Sequence, residues 1–153
     1  MQKTVFLVAI CLFIGAKQPK LRKVLIMGDS ISIGYFPYVR YLLKEHADVT
    51  KITGNGGPTQ RGLDSLELYL GDTQWDVIFF NFGLHDLKYL RDGNYDTSGA
   101  IVCDTVCYRK NLNSIAQRLK KTGASLIFAT ITPVPVGSVG RIAGDEEVYN
   151  RIA

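Results

Sequence analysis

Apolar positions along this chain fall into two alternating patterns. Short, partly β-branched apolar runs at Lys23 to Met27, Val49 to Thr53, Asp76 to Phe80 and Ser125 to Thr130 read as strands. Between them, helical spacing predicts helices over about Pro37 to His46, Leu63 to Leu70 and Asp104 to Thr122. In the last of these Tyr108, Leu112, Ile115, Ala116 and Leu119 share one face, and Gly123 follows Lys120 and Lys121 as a stop signal. A further helix is predicted from Asp145 through Val148, Tyr149 and Ile152. Two parallel strands need a crossover between them, and a helix supplies one. The alternation therefore predicts an α/β fold, a parallel sheet with helices on both faces. The final helix opens a crossover whose returning strand is not in the sequence, so the expectation is a sheet lacking its last strand and helix.

Composition narrows the function classes. A chain of 153 residues with 46% hydrophobic and 21% charged residues suits one folded domain, expected over residues 23 to 153. The net charge of +4 is matched by Lys17, Lys20, Arg22 and Lys23 alone. With no basic stripe interleaved with aromatics, no nucleic-acid partner is expected. Residues 1 to 16 read as a signal peptide: Lys3 gives a positive start, Val5 to Ile14 an apolar stretch, and Gly15-Ala16 small residues for cleavage. The expected location is secreted or periplasmic. The apolar stretch is shorter than the ~20 residues that span a bilayer, so no stable membrane span is expected after cleavage. Cys103 and Cys107 are four apart, a spacing that suggests a helix face, where disulfide geometry is poor, so two unpaired or buried thiols are expected. No metal site is expected beside them without neighbouring His ligands, and no cofactor is expected.

In open α/β sheets the functional edge is where strands end and helices begin. Four loops meet that description: Gly28 to Ser32, Gly54 to Thr59, Asn81 to Asp86, and Thr130 to Pro135. A Ser on a tight strand-to-helix turn is held clear of the sheet near a positive helix end, and Ser30 has that position, which suits a nucleophile. Attack on an ester carbonyl puts negative charge on its oxygen, so the site needs donors aimed there in advance. The Ser30 N–H, the Gly57 N–H and the His85 side chain lie in the right loops. Asp29, Asn55, Asp86 and Thr132 complete the expected substrate-binding set, although Asp29 also suits organising the turn and Gly57 a left-handed turn position.

Val24-Leu25-Ile26-Met27-Gly28-Asp29-Ser30, Asn55-Gly56-Gly57 and Gly83-Leu84-His85-Asp86, in that order, resemble the first three blocks of the SGNH (GDSL-type) hydrolases. The resemblance covers roughly residues 23 to 153. It implies a flavodoxin-like three-layer α/β/α sandwich, Ser-dependent ester hydrolysis, and small-molecule or carbohydrate ester substrates. Two departures stand out. His85 occupies the place of the usual Asn, as in a subgroup carrying Gly-Leu-His-Asp, and its value as a donor then depends on tautomer and protonation. The Asp-x-x-His block that supplies the general base is absent. His46 is predicted at the far end of the first helix, ~15 Å from the catalytic edge. The competing expectation is a non-catalytic acyl- or carbohydrate-binding module on the same scaffold.

Overall fold

The computed structural model describes residues 20–153. The predicted signal peptide lies outside the described residues. The strands are β1 (Arg22–Met27), β2 (Ala47–Lys51), β3 (Val77–Phe80), β4 (Tyr89–Arg91), β5 (Asn94–Tyr95), β6 (Ala100–Ile101) and β7 (Ser125–Phe128). The helices are α1 (Ser30–Leu43), α2 (Thr59–Asp64), α3 (Leu66–Leu70), α4 (Thr105–Lys120) and α5 (Asp145–Ile152).

A four-stranded parallel sheet in the order β2-β1-β3-β7 forms the frame. Its register sets Val24 opposite Val49 on one side and Val77 on the other. Successive side chains leave a strand on opposite faces, and both faces here are covered. Leu25, Met27, Ile78 and Phe80 join Tyr108, Leu112, Ile115 and Leu119 of α4 in the larger core. Ile26, Val49 and Phe79 turn the other way and pack with Tyr35, Phe36 and Val39 of α1. Each large apolar side chain buried this way is worth roughly 1.5–3 kcal/mol, so the two faces anchor the three layers independently. At the edge, β7 leaves Ile127 half exposed on the α1 face, 51% accessible.

The helices differ in detail from their predicted bounds. The first begins at Ser30 rather than Pro37, because Asp29 accepts a hydrogen bond from the Ile31 N–H and caps it. Pro37 then sits inside the helix, at an exposed position. The helix predicted over Leu63 to Leu70 is two short ones joined at Ser65. An antiparallel sheet in the order β5-β4-β6 was not predicted at all. The expectation of free thiols is also corrected: Cys103 and Cys107 form a disulfide with their Cα atoms 5.4 Å apart. Cys103 precedes the Asp104 cap and so stands outside α4, which releases the pair from helix-face geometry. Among the described residues no helix is long and apolar enough to cross a membrane.

Candidate active site

All four strands of the parallel sheet point the same way, so the loops that follow them emerge on one edge. Backbone and side-chain bonds then stitch those loops together. The Gly56 N–H donates to the Gly28 carbonyl at 2.9 Å, joining the second loop to the first. Asn81, in the third loop, donates its amide to the Ala129 and Thr130 carbonyls of the fourth at 2.7 and 2.9 Å. Thr59 donates its N–H to both carboxyl oxygens of Asp86 at 3.0 Å, and its hydroxyl to one of them, joining the second loop to the third. Arg141 donates Nε to the Leu84 carbonyl at 2.9 Å, which draws the loop before α5 onto the same edge.

Ser30 is the first residue of α1 and is exposed. A hydroxyl there sits beside the partial positive charge of a helix start, where a developing alkoxide is favoured. Asp29, immediately before it, is 5% exposed and organises the turn by accepting the Ile31 N–H at Oδ1. Ser32 locks the turn further by donating its hydroxyl to the Asp29 carbonyl at 2.6 Å.

The second loop places Gly57 at φ +65, a left-handed conformation in which a Cβ would also press on the Arg61 side chain. Its N–H donates to Asn55 Oδ1 at 2.8 Å. Asn55 is thus the local partner of Gly57, and the N–H serves an oxyanion only by sharing or releasing that bond. Thr132 is exposed on the fourth loop, where it borders a small cavity with Asp29, Tyr35 and Asn81.

Asp86 does not face the open edge. It is fully buried, and burial raises its pKa to about 6 even though the bonds from Thr59 favour the charged form. Its expected contact with substrate is replaced by a latch between loops. His85, beside it, is partly buried and its Nδ1 lies 3.0 Å from Lys88 Nζ. Burial first, then the positive charges of Lys88, Arg141 and Arg61, lower its pKa to about 4 against an opposing pull from Asp29. The ring is therefore neutral near pH 7. His46 lies at the opposite edge of the sheet, where its carbonyl accepts from Arg22 at the start of β1. Among the described residues no hydrogen bond joins Ser30 to either His, and no cluster of His, Cys, Asp and Glu could hold a metal ion.

Asn81, Arg141 and Lys88 were missed from sequence. Asn81 had a signal in its place right after β3; Arg141 had none, because it reaches Leu84 across 57 positions.

No family profile matches the sequence, and no protein of curated function matches it. Solved structures do. A lipase/acylhydrolase from Enterococcus faecalis superposes with a TM-score of 0.69 at 19% identity, covering 87% of this chain and 69% of its own. The fold is that of the SGNH hydrolases. An acetyl xylan esterase shares this SGNH frame with a TM-score of 0.68 at 18% identity, covering 85% of this chain and 69% of its own. A GDSL-like lipase from Bacteroides thetaiotaomicron does so with a TM-score of 0.63 at 18% identity, over 89% of this chain and 65% of its own. In each the chain spans about two thirds of the SGNH structure it matches.

Proposed function

We propose that the described residues form the nucleophile and oxyanion half of an exported serine ester hydrolase acting on acyl esters or acetylated carbohydrates. The observation that carries the reading is the exposed Ser30 hydroxyl at the start of α1, on a loop bonded to the one bearing Gly57. In the reaction, Ser30 Oγ attacks the ester carbonyl and loses its proton to a general base. The carbonyl oxygen takes up negative charge against the Ser30 N–H, the Gly57 N–H and His85. Collapse expels the alcohol, which takes the proton, and water then releases the acid from Ser30 by the same steps.

His85 is unsuited to the base. Its Nδ1 lies 3.0 Å from the Lys88 ammonium, which has only donors, and no hydrogen bond among the described residues joins the ring to Ser30. The reading therefore takes its base from outside the described residues. Without a base a serine triad loses several orders of magnitude in rate, so residues 1–153 alone should hydrolyse esters very slowly.

The test is hydrolysis of short-chain p-nitrophenyl esters and acetylated sugars by this chain and by any longer form of the protein, with Ser30→Ala as the comparison. A loss of at least about 1000-fold in Ser30→Ala is expected. Undiminished hydrolysis in that variant would reject Ser30 as nucleophile. Ligand binding without turnover in the longer protein would favour a binding module on the same frame.

A further inference from the structure

We propose that Lys88 is a positioning residue that locks His85 as its Nε2–H tautomer, leaving one N–H as the ring's only unspent polar group. The inference rests on the reading that places His85 at the oxyanion.

An Asn side chain offers an N–H without outside help, whereas a neutral imidazole has one donor and one acceptor and either nitrogen can hold the proton. Position 85 therefore works as a donor only if something selects the tautomer. Lys88 does so from one helical turn along the same loop, its Nζ lying 3.0 Å from Nδ1. An ammonium accepts no hydrogen bond, so Nδ1 must carry the lone pair.

The ammonium is itself held. Tyr95 accepts a hydrogen bond from Lys88 Nζ at 3.2 Å, and its ring centroid lies 5.1 Å from the same nitrogen. Tyr95 belongs to β5, in the small sheet that no sequence pattern predicted. That sheet is braced in turn: the Tyr89 N–H donates to the Gly140 carbonyl at 2.9 Å, and the Tyr89 hydroxyl to Asp145 at 2.9 Å. The charged groups acting on the His85 ring are Lys88, Asp29, Arg141 and Arg61. Of these, Lys88 alone bonds a ring nitrogen.

The experiment is long-range 1H–15N correlation of the His side chains in the uniformly 15N-labelled chain, recorded from about pH 3 to 8. The sequence holds two His, so His46 serves as an internal reference. Wild-type His85 should show a single Nε2–H tautomer near neutral pH and an unusually acidic midpoint. Lys88→Glu puts an acceptor where the donor was. It should move the proton to Nδ1 and raise the His85 midpoint by about 1 unit or more, leaving His46 unchanged. Lys88→Arg keeps a donor and should keep the wild-type pattern.

An Nδ1–H ring in the wild type would overturn the proposal without reference to any variant. So would a folded Lys88→Glu protein, judged by its backbone amide spectrum, whose His85 tautomer and midpoint match wild type. None of these spectra requires turnover, so they stand apart from the hydrolase reading. That reading would fall instead if Ser30→Ala left hydrolysis intact.

Discussion

Replacing Asp86 with Asn should remove a large part of the pH dependence of folding that arises at this edge. The folded protein holds the Asp86 carboxyl at a pKa of about 6, against 3.8 for the free group, with burial as the main cause. The sign follows from proton counting. Below about pH 3.8 both folded and unfolded chains carry the proton, and the full contribution to stability is present. Between about 4 and 6 the folded chain keeps a proton that the unfolded chain has lost, so stability falls as pH rises and the contribution is gone above about 6. Roughly two units at about 1.4 kcal/mol each make this about 3 kcal/mol. Asn has no such titration. It meets Thr59 with an NH₂ where a second acceptor stood, a cost of about 1–3 kcal/mol at every pH. The stability gap between wild type and Asp86→Asn should therefore be widest near pH 4 and narrow by about 3 kcal/mol by pH 8. Urea unfolding followed by Trp75 fluorescence and far-UV circular dichroism measures it. The difference between the two proteins is the quantity to use, because His85 opposes Asp86 in the wild type. Its lowered pKa of about 4 means that stability is lost as pH falls from about 6.5 toward 4. Asp86 is not among the charges that shift His85, so this component cancels in the difference. A gap that stays constant across the range, or widens with pH, would refute the account of a carboxyl held above its normal pKa by burial.

Two further substitutions test how the loops are built. Gly83 has φ +132, and a Cβ there would come within 2.2 Å of Ile131 Cδ1 and 2.6 Å of its Cγ1. Gly83→Ala should cost more than about 3 kcal/mol by urea unfolding, combining backbone strain with overpacking. Adding Ile131→Ala should make Gly83→Ala cheaper than it is in the wild-type background, and a strictly additive pair would remove the steric argument. Converting both Cys103 and Cys107 to Ala should lower stability by about 2 kcal/mol, as expected for so short a closed loop. In the unmutated folded chain both should resist alkylation until a reductant is added, and labelling without reductant would contradict the pairing.

The frame was legible because its signals are local. Four apolar runs and the helices between them follow from residue spacing, and parallel strands then force their trailing loops onto one edge. Pro37 suits a helix opening, yet the Asp29 cap starts α1 earlier, at Ser30. The strands β4, β5 and β6 have two or three residues each, too short for a period of two to register. The disulfide was hidden because a spacing of four suggests one helix face, whereas Cys103 lies outside α4 and Cys107 within it. Asp86 is expected near substrate from its place in the third loop, beside His85. Adjacent residues on a tight turn point to different sides, and Asp86 went inward to Thr59.

The unpredicted sheet and the unusual His answer to one requirement. An imidazole needs a partner on Nδ1 before Nε2 can act as a fixed donor. A flexible Lys can be that partner only when its own ammonium is confined, because each freely rotating bond spreads the donor over many positions and orders it only at an entropic cost. Tyr95 confines it by accepting a hydrogen bond from the ammonium and presenting its ring nearby, and β5 is what brings Tyr95 there. The chain from His85 through Lys88 to Tyr95 thus gives the small sheet a task that the four-stranded frame cannot perform. The segment is itself braced: Gly140 and Asp145 hold Tyr89, next to Lys88. Loosening that brace would leave the frame intact and let the imidazole choose its own tautomer.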